Sequence, residues 1–158
     1  MLGLICKHRR EKRASNSRRH NRGKRLWVER TKDGSWDAFS EDGAHLKFGK
    51  GKGLFTPGDL MKVALAGCAA LSSQFPVENT LGEGSGARIL VDGTYDPETD
   101  SYTAFEEQVN VDATSADLSE EDAAKLKERV ARHIEKGCTV AHTYRQETPV
   151  RVNVTVRK

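Results

Sequence analysis

The pattern of apolar and polar positions divides the chain into a polar arm and a body of regular elements. From Lys7 to Arg25 the only apolar residue is Ala14, so this stretch cannot bury enough surface to offset the entropy cost of ordering it. We therefore expect a basic, disordered arm over residues 1–25. The remaining residues, 26–158, fit a single domain with one core, because domains cluster at roughly 100 to 150 residues.

Three short segments after the arm alternate between apolar and polar residues, as β-strands do. They are Leu26–Val28, Trp36–Phe39 and Ala44–Phe48. The dipeptides Asp33-Gly34 and Asp42-Gly43 separate them, and Asp-Gly is a strong hairpin signal. The pattern predicts an antiparallel meander.

The next segment predicts the central helix of the fold. Thr56 is suited to an N-cap, Pro57 to the first helical position, and Asp59 to the first turn. From Leu60 to Leu71 only one residue is charged. A helix that is apolar on nearly every side is enclosed by protein on nearly every side, so we expect this one to be the buried hub.

The second half of the chain predicts two long strands, two helices and a last strand. The strands cover 88–95 and 102–112, joined by a turn, and a helix capped at Ser119 ends at Gly137. A short helix over 139–145 precedes a strand of alternating valines. The inward positions of the capped helix are predicted to be Ala123, Leu126, Val130 and Ile134, and the valines are Val150, Val152, Val154 and Val156. The fold class is α+β, with an antiparallel sheet packed on the two main helices.

Charge is divided unequally between the arm and the body. The formal net charge is +3, but residues 1–25 hold ten of the 26 Lys and Arg and one of the 23 Asp and Glu, a balance of +9. The body keeps 16 bases and 22 acids, a balance of −6. Binding of nucleic acid through the arm is an alternative that we do not favour, because the arm has no aromatic partners for bases. We interpret it as a solvated leader or as the product of an upstream start codon.

The cysteine count and the hydropathy favour a soluble, cytoplasmic protein. Cys6, Cys68 and Cys138 are too few for a disulfide scaffold. No run approaches the ~20 apolar residues of a membrane span, and the N-terminal apolar stretch is too short for a signal peptide. We therefore expect no membrane association.

The surroundings of the two body cysteines suggest different reactivities. Cys138 follows the stop at Gly137, so the positive end of the short helix is expected to lower its pKa. Cys68 lies among small apolar residues, which favour the neutral thiol, so a reactive Cys68 needs a cation from elsewhere. The alternative for each is a buried structural cysteine. His142, four residues after Cys138, is interpreted as a surface residue, and further ligands at zinc spacing are absent.

These residues carry a resemblance to a known family. The segment from Pro57 to Leu60, then seven residues and Cys68, resembles the helix of the OsmC/Ohr family (osmotically inducible protein C and organic hydroperoxide resistance protein). Gly137-Cys138-Thr139-Val140 resembles the second cysteine segment of that family, and Leu26–Thr31 its first strand. The resemblance covers about residues 26–158.

The resemblance implies an OsmC-like fold, an intertwined homodimer and thiol-dependent reduction of organic hydroperoxides in an antioxidant, stress-response role. It implies that Cys68 attacks the peroxide and that Cys138 resolves the sulfenic acid as a disulfide, which a dithiol reductant reopens. It implies no cofactor and no metal.

The chain departs from the family pattern at two residues that act on the first cysteine, a glutamate and an arginine. Gly58 stands where the family has glutamate, and Asp59 faces away from Cys68 on a helix, so we interpret Asp59 as a capping residue. The family's activating arginine corresponds to Arg30, Lys50 or Lys52. Among these we favour Arg30, because only its planar fork can hold a thiolate and an acid together. A non-catalytic module that binds an apolar ligand between its helices is the alternative function.

Overall fold

The computed structural model describes residues 23–156. Most of the expected arm, residues 1–22, and Cys6 lie outside the described residues. The described end of the arm is tied to the body, because Lys24 Nζ lies 2.6 Å from a carboxylate oxygen of Asp42. The chain divides into two compact units between Thr56 and Pro57, and each is described by itself.

The first unit is the predicted antiparallel meander. It contains β1 (Leu26–Arg30), β2 (Trp36–Ser40) and β3 (His45–Phe48), with β2 in the centre. Both hairpins turn at the predicted glycines, Gly34 with φ of 87° and Gly43 with φ of 91°. Only glycine adopts such left-handed φ values without steric cost, so these two turns fix the strand register.

An aromatic row crosses the meander and stabilises one of its faces. The ring of Trp27 stacks on Phe39 at 5.6 Å, and Phe39 stacks on His45 at 5.0 Å. These residues lie opposite one another in the strand register. Cross-strand aromatic pairs of this kind stabilise a sheet by roughly 0.2 to 1 kcal/mol each.

The second unit is built on a long apolar helix, α1 (Pro57–Leu81). Its buried stripe packs against the strands and helices of the second unit described below. The stripe consists of Leu65, Ala69, Ser73, Pro76 and Val77. By length and hydropathy alone α1 could cross a membrane, although core helices of soluble proteins pass the same test.

The expectation that α1 is enclosed on nearly every side is wrong for the single chain. Leu71 is 76% exposed and Phe75 is 65% exposed, and Val63 is also open to solvent. The sequence pattern reports that a side chain is apolar, but it does not report whether the same chain supplies the surface that covers it. One face of α1 is therefore uncovered.

Two strands form a sheet of their own rather than extending the first one. They are β4 (Ala87–Asp96) and β5 (Ser101–Val111), which pair antiparallel with an irregularity between Thr94 and Tyr95. Residues 23–156 thus form two antiparallel sheets and not the single one expected. Alternate residues of β5 are half-buried from Phe105 to Val111, so one face of β5 lines the core.

The two predicted helices after β5 are present. They are α2 (Glu120–Gly137) and the short α3 (Thr139–Tyr144). The side chain of Ser119 accepts a hydrogen bond of 3.1 Å from the backbone N–H of Asp122, as expected of an N-cap. Leu126 and Val130 from α2 and Val77 from α1 form the buried core, with Ile134 packed against it. Ala123, expected to point inward, is exposed.

The predicted strand of valines is wrong for the single chain. Residues 150–156 adopt no regular structure, and the four valines are 81 to 87% exposed. A strand forms only when a neighbouring strand pairs with its backbone, and no described strand of the chain pairs with this segment. The alternating valines form an apolar face that the single chain leaves exposed to solvent.

Candidate active site

The two body cysteines meet in the second unit, although 70 positions separate them in the sequence. Cys68 lies on α1 and is half-buried, and Cys138 lies between α2 and α3 and is 0% exposed. The two thiols lie close enough to interact, because contact with the Cys68 side chain raises the pKa of Cys138. The fold therefore brings together the residues that the sequence singled out.

A close contact between two helices produces this meeting. A Cβ at Gly137 would lie 3.1 Å from Oγ of Ser72, one turn beyond Cys68 on α1. The missing side chain at Gly137 thus lets the end of α2 approach α1. Tyr144 holds α3 in the same place, because its hydroxyl donates to the backbone oxygen of Met61 at 3.0 Å.

Cys138 joins two helices through its backbone and its side chain. Its N–H donates to the backbone oxygen of Ile134 at 2.9 Å and so ends α2. Its sulfur accepts a hydrogen bond of 3.4 Å from the N–H of Ala141 and so caps α3. These contacts fix the sulfur in one position.

The expected lowering of the Cys138 pKa is wrong. Burial raises the pKa of the Cys138 thiol above its ordinary value, the contact with Cys68 and the charge of Glu107 raise it further, and the N–H of Ala141 lowers it only in part. The desolvation of a buried thiolate outweighs one backbone donor. At neutral pH Cys138 is therefore held in its thiol form.

Glu107 is a site residue that the sequence reasoning missed. It lies on the inward face of β5 with Phe105, Val109 and Val111. Its Oε1 is buried without a hydrogen-bond partner among residues 23–156, and burial raises the pKa of its carboxyl. The signal was present in the sequence, since a charged residue at an inward position of an apolar strand is costly unless it has a role.

The remaining predicted residues lie in other places. Arg30 is exposed at the end of β1 in the first unit, whereas both cysteines belong to the second. Asp59 forms an ion pair of 3.4 Å with Lys62 in the first turn of α1. His142 makes a hydrogen bond of 2.7 Å with the backbone oxygen of Glu135, so its ring nitrogen is engaged with α2.

Tyr102 fills the space beside Gly58, the residue that replaces the family's glutamate. A Cβ at Gly58 would lie 2.6 Å from the Tyr102 hydroxyl, and a Cβ at Gly93 would lie 2.8 Å from the same ring. Lys62 stands over the ring, 5.8 Å from its centroid. A side chain at position 58 is therefore excluded by Tyr102 in its observed place.

Two cavities flank the region of Glu107. One of about 240 Å³ lies between α1, β5 and α3, with Leu65, Ala141 and Arg145 in its wall. The other, of about 410 Å³, is mainly apolar and lies between β5 and α2. Among the described residues no group of three His, Cys, Asp or Glu could hold a metal ion.

Comparison with known proteins identifies relatives of the chain. Residues 49–153 match the OsmC-like protein family. An uncharacterized protein of Mycobacterium tuberculosis is 34% identical over 131 residues, which cover 82% of this chain and 94% of that protein. An uncharacterized protein of Mycobacterium bovis has the same identity and coverage. A crystal structure of an OsmC-like protein from Mycoplasma pneumoniae aligns with a TM-score of 0.56 and 14% identity, covering 80% of this chain and 90% of that one.

Proposed function

Since this chain belongs to the OsmC-like protein family, we propose that it is a thiol-dependent peroxidase that reduces organic hydroperoxides. The observation that carries the proposal is the proximity of the Cys68 and Cys138 side chains, which interact in the second unit. Two cysteines 70 positions apart meet in this way only if the fold brings them together. A purely structural role requires neither of them to contact the other.

In the first step the Cys68 thiolate attacks a peroxide oxygen. A sulfur–oxygen bond forms, the peroxide oxygen–oxygen bond breaks, and an alcohol leaves after taking up a proton. The raised pKa of Cys138 argues against that residue as the attacking group, because the thiolate is the nucleophile, and Cys68 is the other thiol at the site. We assign Arg30 as the cation that stabilises this thiolate, by carry-over from the family pattern.

In the second step Cys138 resolves the sulfenic acid on Cys68. Its sulfur displaces the sulfenic oxygen, a disulfide forms, and water leaves. A dithiol reductant then reopens the disulfide by exchange. The fixed position of the Cys138 sulfur beside Cys68 supports this role, since the resolving thiol is already next to its target.

Uncovered apolar surface supports a homodimer as the working form. Leu71 and Phe75 on α1 and the valines of 150–156 are exposed in the single chain. Contiguous exposed apolar surface of this kind marks an interaction site. A second copy of the chain, pairing with the valine segment and covering α1, satisfies both surfaces. We place this dimer in the cytoplasm.

The peroxide assay tests the function directly. In a Cys6→Ser background with a dithiol reductant, the protein is expected to consume cumene hydroperoxide in stopped-flow mixing. Cys68→Ser is expected to abolish the reaction, whereas Cys138→Ser keeps a single fast turnover. Consumption by Cys68→Ser at the parental rate contradicts the proposal.

A second candidate function rests on the apolar cavity between β5 and α2. Its volume of about 410 Å³ lies within the range of small-molecule sites, which favours a non-catalytic module that binds an apolar ligand. This candidate predicts that neither thiol oxidises faster than an ordinary free cysteine. Titration with an environment-sensitive fluorescent fatty acid, competed by an unlabelled one, measures the binding.

A further inference from the structure

Glu107 interrupts an otherwise apolar face of the second unit. The side chains of Phe105, Val109 and Val111 alternate with exposed residues along β5. Val109 and Val111 pack against the core formed by α1 and α2, and the ring of Phe105 lies 5.2 Å from that of Tyr144 on α3. Glu107 occupies the same register, whereas its neighbour Glu106 is on the exposed face. A carboxylate in such a position costs stability unless something compensates for it.

Within residues 23–156 no hydrogen bond to the buried oxygen of Glu107, its Oε1, compensates for that cost. Arg145, the cation that lowers the pKa of Glu107, is already bound to Glu135 by two hydrogen bonds of 3.0 and 3.3 Å. Glu107 is therefore not the anion of a structural ion pair.

The cavity between α1, β5 and α3 connects Glu107 to the surroundings of Cys138. Glu107 and Ala141 both line this space of about 240 Å³, and the N–H of Ala141 is the group that donates to the Cys138 sulfur. The volume is large enough to hold water, which can relay a proton between a carboxylate and a thiol. Electrostatic coupling agrees with this, because the charge of Glu107 raises the pKa of Cys138.

We infer that Glu107 is the general base that takes the proton from Cys138 when the resolving disulfide forms. The inference rests on the proposed peroxidase function and adds to it a residue that the two-cysteine scheme does not contain. The Cys138 thiol gives its proton to the Glu107 carboxylate and becomes a thiolate. The thiolate sulfur attacks the sulfur of the Cys68 sulfenic acid, a sulfur–sulfur bond forms, and the sulfur–oxygen bond breaks. The departing hydroxide takes the proton back from Glu107 and leaves as water, so the carboxylate is regenerated.

The environment of both groups suits this transfer. Burial raises the pKa of Glu107 above that of an ordinary carboxyl, and a higher pKa makes the carboxylate a stronger base. Transfer of the proton between the two groups also avoids placing a carboxylate beside a thiolate, since the pair carries a single negative charge before and after. The titratable groups that line the two cavities with Glu107 are Tyr102 on β5, Lys127 on α2, and Tyr144 and Arg145 at α3. The Cys138 thiol also senses the charge of Glu107.

The test separates sulfenic acid formation from disulfide formation. Protein in the Cys6→Ser background is mixed with one equivalent of cumene hydroperoxide, quenched at intervals with dimedone, and weighed as the intact protein. Glu107→Gln is expected to form the Cys68 sulfenic acid at the parental rate. Its disulfide is expected to form about 100-fold more slowly near pH 7, within the range of general-base effects. Glu106→Gln, on the opposite face of β5, is the matched control and is expected to behave as the parent.

The pH profile distinguishes a base from a residue that only supports the fold. In Glu107→Gln the disulfide rate is expected to rise about tenfold per pH unit and to approach the parental rate at high pH, where Cys138 ionises without help. Glu107→Asp is expected to restore part of the rate near pH 7. The inference is overturned if Glu107→Gln forms the disulfide at the parental rate and pH profile, or if its loss does not recover at high pH. Absence of both a Cys68 sulfenic acid and a Cys68–Cys138 disulfide in the parent overturns the proposed function itself.

Discussion

The close approach of Tyr102 to Gly58 predicts that any side chain at position 58 destabilises the protein. In Gly58→Ala the new Cβ would lie 2.6 Å from the Tyr102 hydroxyl, closer than non-bonded atoms approach. The Tyr102 ring cannot easily move away, because it packs on Gly93 and its centroid lies 5.1 Å from that of the Phe105 ring. The substitution therefore forces either α1 or β5 to shift.

Two opposing effects determine how much Gly58→Ala changes the free energy of unfolding. Overpacking of a fixed ring costs about 1 to 3 kcal/mol, while replacing glycine by alanine in a helix gains up to about 1 kcal/mol. We expect Gly58→Ala to lower the free energy of unfolding by up to about 2 kcal/mol. In a Tyr102→Phe background the nearest ring carbon is 3.3 Å away, so most of the cost disappears and the coupling between the two positions is about 1 to 3 kcal/mol.

Urea unfolding of the four proteins, at one protomer concentration, measures this coupling. Gly67→Ala on the same helix is the control, because nothing lies within 4 Å of its Cβ position, and it is expected to stabilise the protein in both backgrounds. The reasoning is refuted if Gly58→Ala stabilises the protein as Gly67→Ala does, whether or not the tyrosine hydroxyl is present.

Three further substitutions test the core, a helix cap and the buried carboxyl. Leu126→Ala is expected to cost about 2 to 5 kcal/mol in urea unfolding, because Leu126 is 5% exposed in the core; a cost below 1 kcal/mol contradicts its placement. Ser119→Ala is expected to cost about 1 kcal/mol, as the loss of an N-cap does, and Ser119→Asp should restore the stability. Burial raises the pKa of Glu107, so ionisation opposes folding and the parent loses stability as the pH rises through the folded pKa. Glu107→Gln should therefore have a higher free energy of unfolding than the parent, by a difference that grows between pH 4 and 8. A difference that stays constant over this range argues against a buried carboxyl.

The sequence was sufficient for features that depend on neighbouring residues. Asp33-Gly34 and Asp42-Gly43 specified two turns because only glycine tolerates their φ values. Ser119 specified the start of α2 because a hydroxyl satisfies a free backbone N–H there. Cys68 and Cys138 were identified by residue type and spacing, and the structure brings them together.

Features that depend on distant residues could not be predicted. The helix position of Cys138 suggested a lowered pKa, but the desolvation that raises it comes from α1 and β5. The exposed valines and the open face of α1 looked like core positions, because the pattern does not reveal which chain covers them. Glu107 left a signal in the strand alternation, yet its role depends on a thiol that follows it by 31 positions.

The central claim is that Cys68 and Cys138 form a disulfide when the protein reduces a peroxide. The most direct test is peptide mapping by mass spectrometry, under non-reducing conditions, of the Cys6→Ser protein after one equivalent of cumene hydroperoxide. A cross-linked peptide pair that contains both cysteines, formed within one turnover and absent without peroxide, is the predicted result. Recovery of both cysteines as free thiols, with the peroxide unconsumed, would contradict the account.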